Sequence, residues 1–378
     1  MDRRDTASLR WEKYRARDVI PLWVADMDFP APPAVVDALQ RRVAHGVFGY
    51  TVPDRPLVDA VLGHLEVQYG WQVEPEWLVW LPGLVCGLNV ACRAVAEAGD
   101  EVLTTVPIYP PFLSAPLDSG RTVREVPLIQ DEGRWRLDRQ PFDAALTRRS
   151  RLLLLCNPHN PTGRVFSPAE LESVGEFCLR NDLVLCSDEI HCDLVLEPGL
   201  SHRPAATLSP ELAARTITLM APSKTYNLPG LGCSFAVVSD RRLRAGVRRA
   251  MAGIVPHVNL LGLVATAAAY RHGEPWRKAL VEYLRANRDL VLQLLNAVPG
   301  LHVGPVEATY LAWIDARELP VADPVGFFEA AGVGLSDGRE FGAPGFVRLN
   351  FGCPRSLLEQ ALDRMTRAVG KLTGEAAR

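Results

Sequence analysis

Short apolar runs bounded by glycine, proline and polar residues recur through the middle of the chain. Glu101–Val106 (EVLTTV), Arg151–Cys156 (RLLLLC), Asp182–Ser187 (DLVLCS), Thr216–Met220 (TITLM) and Ser234–Val238 (SFAVV) have the length and apolar character of buried strands. Between the second and third lies SPAELESVGEFCLRN, in which Leu171, Val174 and Cys178 recur at helical spacing. Ser167 can cap that helix, Pro168 suits its first position, and Glu170 completes a capping box. Strand, helix, strand in this order predicts a mostly parallel sheet with helices on its faces.

The pattern changes after Gly273. GEPWRKALVEYLRANRDLVLQLLNAV (Gly273–Val298) reads as one long helix stopped by a proline–glycine pair. A strand-like TYLAWID (Thr309–Asp315), a short helix near Phe327, the strand FVRLNF (Phe346–Phe351) and a final helix from Pro354 follow. These predict a separate α+β unit, with the N-terminal arm, to about Ala44, packed on it. The expected division is a large domain over 45–265 and a smaller one built from 1–44 plus 266–378.

Composition narrows the function classes. The 378 residues carry a net charge of −3, which argues against a protein that grips nucleic acid by a strong basic field. The basic run RRLRAGVRR (Arg241–Arg249) reads as a solvated helix face. No apolar core of a secretory signal is visible near the N-terminus, and the longest apolar stretch, near Leu260–Tyr270, is too short to span a bilayer. Eight cysteines occur without a CxxC pair. Cys86, Cys92, Cys156 and Cys186 sit inside apolar runs and read as small buried hydrophobes in a reducing compartment. A soluble cytoplasmic protein is expected, with no membrane or nucleic-acid partner.

Candidate chemistry sits at the strand ends, where doubly wound sheets bind ligands. NPHNPTG (Asn157–Gly163) follows the second run, SDEIH (Ser187–His191) the third, and APSK (Ala221–Lys224) the fourth. Asn160, Asp188 and Lys224 are thus expected to face one crevice. Each also has an ordinary reading: NPTG is a good turn, an acid after a strand is often a helix cap, and most lysines are solvated. A phosphate site is available as well. In WLPGLVCGLNVACRAVAEAGD a Pro-Gly break precedes a helical pattern, and the backbone N–H groups of Gly83, Leu84 and Val85 would crown that helix.

NPHNPTG, SDEIH and SKTYNLPG, in this order and spacing, resemble the fold-type I pyridoxal-phosphate (PLP) enzymes of the aminotransferase class I/II superfamily. PLWVADMDFPAPPAV, GVFGYT, EATYLAWID and GFVRLNFGCP are similar to its PatB/MalY-type cystathionine β-lyase branch. The resemblance covers nearly the whole chain. It implies an α/β fold with a mostly parallel, seven-stranded-type sheet in the large domain and a smaller α+β domain, PLP as cofactor, and an amino-acid substrate. By that resemblance Lys224 is the Schiff-base lysine, Asp188 pairs with the pyridinium nitrogen, and Asn160 bonds the phenolic oxygen. Tyr109 stacks on the ring, and Gly83, Leu84, Val85 and Ser223 form the phosphate cup. Tyr50 reaches the phosphate of a neighbouring subunit, implying a homodimer with shared sites, and Arg348 clamps the substrate α-carboxylate. An arginine in an apolar strand needs a partner in any case; a structural acid such as Asp315 is the alternative.

Two positions depart from the transaminase pattern. Gly232 stands where many transaminases have a phosphate-gripping arginine, and His191 where aspartate-type transaminases have a tyrosine. His191 could equally be a histidine satisfied by nearby backbone. Both departures agree with a β-lyase that splits cystathionine or another cysteine S-conjugate into a thiol, pyruvate and ammonia. The alternatives are a PLP-dependent aminotransferase, a specialised lyase acting on a bulky S-conjugate, and a regulatory binding module.

Overall fold

The computed structural model describes residues 3–131 and 133–374. The apolar runs become strands of one seven-stranded sheet: β1 (Leu78–Leu81), β2 (Glu101–Val106), β3 (Thr122–Pro127), β4 (Ser150–Cys156), β5 (Val184–Asp188), β6 (Thr216–Met220) and β7 (Ser234–Val237). Their spatial order is β1-β7-β6-β5-β4-β2-β3. Strands β3, β2, β4, β5 and β6 pair in parallel, and β7 alone runs antiparallel to its neighbours β6 and β1. The helices that frame the core and site are α1 (Pro33–Ala44), α2 (Arg55–Tyr69), α3 (Leu84–Val95), α4 (Pro168–Arg180), α5 (Arg241–Met251), α6 (Leu260–His272), α7 (Glu274–Leu295) and α8 (Arg355–Thr373).

The continuous run of leucines in β4 has a simple cause. Successive side chains point to opposite faces of a strand, and here both faces are covered. Leu152 and Leu154 pack with Leu84, Leu88 and Ala91 of α3, while Leu153 and Leu155 pack with Leu171, Val174 and Phe177 of α4. The predicted capping box at the start of α4 is present, with Glu170 N donating to Ser167 Oγ and Ser167 N to Glu170 Oε2. The basic helix α5 forms as expected, but its arginines are not all solvated. Arg244 is buried and donates to the carbonyls of Val238 and Ser239 at 2.8 Å each, because it faces the strand end that precedes the helix.

The C-terminal unit holds a second, antiparallel sheet of β8 (His302–Val303), β9 (Leu311–Asp315), β10 (Ser336–Asp337) and β11 (Phe346–Asn350), in the order β8-β9-β11-β10. Its core joins Ile314 and Leu349 to Leu284 and Val291 of α7 and Leu362 and Met365 of α8. The N-terminal arm adds to it: Ile20–Pro21 pairs in parallel with Val333–Gly334, and Leu22 and Met27 enter the same core. Helix α1 instead lies on α6, Val35 packing with Ala265 and Ala269. Gly163, at φ +71°, sits against the C-terminal unit so closely that a Cβ would come within 2.9 Å of Val306 Cγ1. Its carbonyl accepts the N–H groups of Glu307 and Ala308, and buried Arg164 pairs with Glu307 at 2.6 Å. These contacts pin the NPTG loop against the smaller sheet. Among the described residues, no helix is long and apolar enough to cross a membrane.

Candidate active site

The carboxyl ends of β1, β4, β5 and β6 and the start of β7 open on one cavity of about 300 Å³. Register sets them level: Cys156 lies beside Asp188, Asp188 beside Leu219, Phe235 beside Met220 and Ser234 beside Leu81. The polar residues that follow each run therefore meet. Asn160, Asp188, His191, Ser223 and Lys224 all line the cavity, with Tyr109 on its wall and Gly83, Leu84 and Val85 at its rim. Gly83 caps α3, so the unpaired N–H groups of that helix start open on the same space. Arg348 joins the group from β11 through a hydrogen bond from Nη1 to Asn160 Oδ1 at 2.9 Å. Tyr50 is not brought in: it is fully exposed and does not line the cavity of its own chain.

The charged groups are held under tension by burial. Asp188 is 5% exposed, and desolvation raises its carboxyl to about 7 despite the Ile190 N–H that it accepts at 3.1 Å and the nearby Lys224. Burial, reinforced by the charge of Arg348, lowers the Lys224 amine to about 8. Arg348 is itself 4% exposed and brought down to about 10 by desolvation. It forms no ion pair among the described residues; Asp315, the alternative partner, pairs instead with Arg317 at 2.6 Å. The Arg348 donors go to Asn160, to the Trp23 carbonyl (2.8 Å) and to Ser336 Oγ (3.2 Å), with Phe341 stacked beneath the guanidinium. His191 is buried, and burial, then the charges of Lys224 and Arg348, hold its basicity well below the usual imidazole range. Among the described residues its Nδ1 has no partner, and its ring meets Tyr310 edge-on at 5.8 Å, so nearby backbone does not satisfy it.

Sequence reasoning missed a strap across the cavity. Lys224 Nζ donates to the Ala25 carbonyl at 2.6 Å, and Tyr310 Oη reaches the same oxygen at 2.9 Å. Asn350 Nδ2 holds the Asp26 carbonyl at 2.7 Å. Asn227, itself at φ +57°, binds the backbone of Met27 on both sides and the Phe29 carbonyl. Fully buried Arg10 fixes the strap from behind through the carbonyls of Pro21 and Asp26. These contacts use main-chain carbonyls and one main-chain N–H, which carry no side-chain signature. Their only trace in the sequence is the PLWVADMDF stretch itself.

The donor set has a definite chemical preference. Among the described residues the buried acid lacks an ion-pair partner, a half-buried amine of lowered basicity lies in the same cavity, a helix start is open for an anion, and an aromatic wall stands beside them. Such a set could hold a flat aromatic base that carries a phosphate and an aldehyde. Gly232, at φ +57° with a built Cβ only 3.2 Å from the Pro82 carbonyl, leaves no relaxed place for a side chain. An anion at the helix start would then rest on backbone donors and Ser223.

The fold is that of the fold-type I PLP enzymes, and the chain belongs to the aminotransferase class I and II family, whose model matches residues 17–365. It is 36% identical to the cystathionine β-lyase PatB of Bacillus subtilis (strain 168) over 384 residues, covering 97% of this chain and 98% of that protein. The solved structure of OvoB superposes with a TM-score of 0.96 at 51% identity, over 98% of this chain and 97% of the other. Cystalysin from Treponema denticola, solved with a pyridoxal 5′-phosphate cofactor, gives 0.94 at 30% identity over 98% of both chains.

Proposed function

We propose that this protein is a PLP-dependent carbon–sulfur β-lyase that converts cystathionine or another cysteine S-conjugate, with one water, into a thiol, pyruvate and ammonium. The observation that carries the reading is the cavity in which the Lys224 amine, lowered to about 8, lies with buried Asp188, while the Arg348 cation, without an ion pair among the described residues, bonds Asn160 of the same lining. When bound, PLP supplies the electron sink that lets a Cα proton leave. Lys224 would hold the cofactor through its amine and would take that proton as general base; an amine lowered to about 8 suits the task. Asp188 would hold a proton at the pyridine nitrogen, and Asn160 would donate to the phenolic oxygen. Arg348 exchanges the Trp23 carbonyl for the substrate α-carboxylate, which it can grip with two parallel bonds. Tyr109 and His191 would flank the ring, and Gly83 to Val85 with Ser223 would hold the phosphate.

The active unit is a homodimer in this reading, with Tyr50 projecting to the phosphate of the partner's site. Its full exposure supports this. A cytoplasmic setting is supported by eight free cysteines, seven of them buried. The division into 45–265 and 1–44 plus 266–378 belongs to the same proposal. The test is incubation of the holoenzyme with cystathionine and other cysteine conjugates without any keto acid. Release of pyruvate and thiol in equal amounts is expected; turnover that requires an added keto acid would make the protein a transaminase.

A further inference from the structure

Behind the cavity, on the far side of the turn that follows β5, lies a polar cluster centred on Asp193. This carboxylate is 5% exposed and takes three side-chain donors. Tyr69 Oη and His64 Nε2, both from α2, meet Oδ1, the latter at 3.0 Å; Thr225 Oγ1 meets Oδ2 at 3.3 Å. The Asp193 carbonyl accepts Arg277 Nη1 of α7 at 3.0 Å. Burial pushes the Asp193 carboxyl up, but His64 and Tyr69 outweigh it and hold the group below the usual carboxylate range. None of these residues lines the cavity that holds Asp188 and Lys224.

Asp193 is nevertheless tied to both. The turn from Asp188 to Asp193 is braced within itself: Ile190 N donates to Asp188 Oδ1, Cys192 N to Glu189 O, and Leu194 N to His191 O. On the other side Thr225, fully buried, is the immediate neighbour of Lys224 in a turn closed by Tyr226 N to Pro222 O and Leu228 N to Ser223 O. That lysine turn is thus anchored twice by side chains, by Asn227 to the strap and by Thr225 to Asp193. A buried carboxylate is an expensive way to fill space, and a satisfied buried network specifies one geometry.

We propose that Asp193 is a positioning residue that sets the Lys224 amine against Asp188, acting through the Thr225 hydroxyl. The inference rests on the lyase reading above. Thr225→Val keeps the shape of the side chain and deletes the bond; Thr225→Ser keeps the bond. Each holoenzyme is titrated with pH, following its visible absorption, and its melting temperature and pyruvate kinetics are measured. Thr225→Val is expected to move the absorption midpoint by about half a pH unit or more and to lower kcat severalfold with little change in KM, while Thr225→Ser restores both. Asp193→Asn, should the valine variant not fold, is expected to move the midpoint in the same direction. Variants that lose melting temperature but keep the wild-type midpoint and kcat would overturn the inference and leave Asp193 a scaffold residue. A wild-type holoenzyme that shows neither a visible band nor pyruvate release would overturn the lyase reading, and this inference with it.

Discussion

Arg348 and Asn160 are 188 positions apart in sequence and joined by a hydrogen bond of 2.9 Å. The bond crosses from the small sheet to the loop after β4. In the proposed function it ties the group that would grip the substrate carboxylate to the group that would meet the cofactor ring. Arg348→Ala should lower kcat/KM by about a hundredfold or more, the loss expected when one partner of a desolvated charge pair is removed. The factor should be similar for conjugates with and without a distal carboxylate. A loss confined to substrates with a distal carboxylate would move Arg348 to the side-chain pocket.

The same bond predicts coupling. Asn160→Ala removes the acceptor that orients the guanidinium, so the double variant with Arg348→Ala should lose less than the sum of the two single losses, compared as free energies. Strict additivity in kcat/KM would show that the two residues act independently.

Asp188 gives a stability prediction with a fixed sign. Its carboxyl is raised to about 7 by burial, whereas in the unfolded chain it titrates near 4. The folded cofactor-free protein therefore holds a proton that the unfolded chain has already lost. The associated stability is fully present below about pH 4 and is lost as pH rises to about 7. Asp188→Asn should consequently melt higher than the wild type in the cofactor-free state at pH 8, by an amount on the order of 2 kcal/mol or more. The gap should narrow as pH falls toward 5. Thermal melts at the two pH values check this, and a gap that widens in acid would contradict it.

Much of this was legible from pattern. Leu152 to Cys156 announced a strand buried on both faces, and Ser167 with Glu170 marked a helix start, because local periodicity and capping chemistry decide such elements. Asn160, Asp188 and Lys224 could be placed in one crevice because each follows an apolar run and parallel strands bring their ends together. The strap carbonyls of Trp23 and Ala25 could not, since any residue supplies a carbonyl. Asp193 went unread for a different reason: its partners His64, Tyr69 and Thr225 lie 129, 124 and 32 positions away, and nothing local pairs them. Arg244 looked solvated because a run of arginines hides the one that turns inward.

Tyr50 tests the assembly. Mixing a Tyr50→Phe variant with a Lys224→Ala variant should form heterodimers in which one site has both native residues, and activity should rise above that of either parent. A fully active monomer by light scattering would contradict the shared site.

The proposed chemistry turns on a single amine. The chain has four lysines, Lys13, Lys224, Lys278 and Lys371, and all but Lys224 are exposed on the surface. Borohydride reduction of the holoenzyme followed by peptide mass mapping asks which of them carries the cofactor. The predicted result is the mass of the reduced cofactor on the Lys224 peptide alone, with pyruvate release abolished in step with the modification. Cofactor fixed to Lys13, Lys278 or Lys371, or lyase activity that survives complete reduction, would contradict the account.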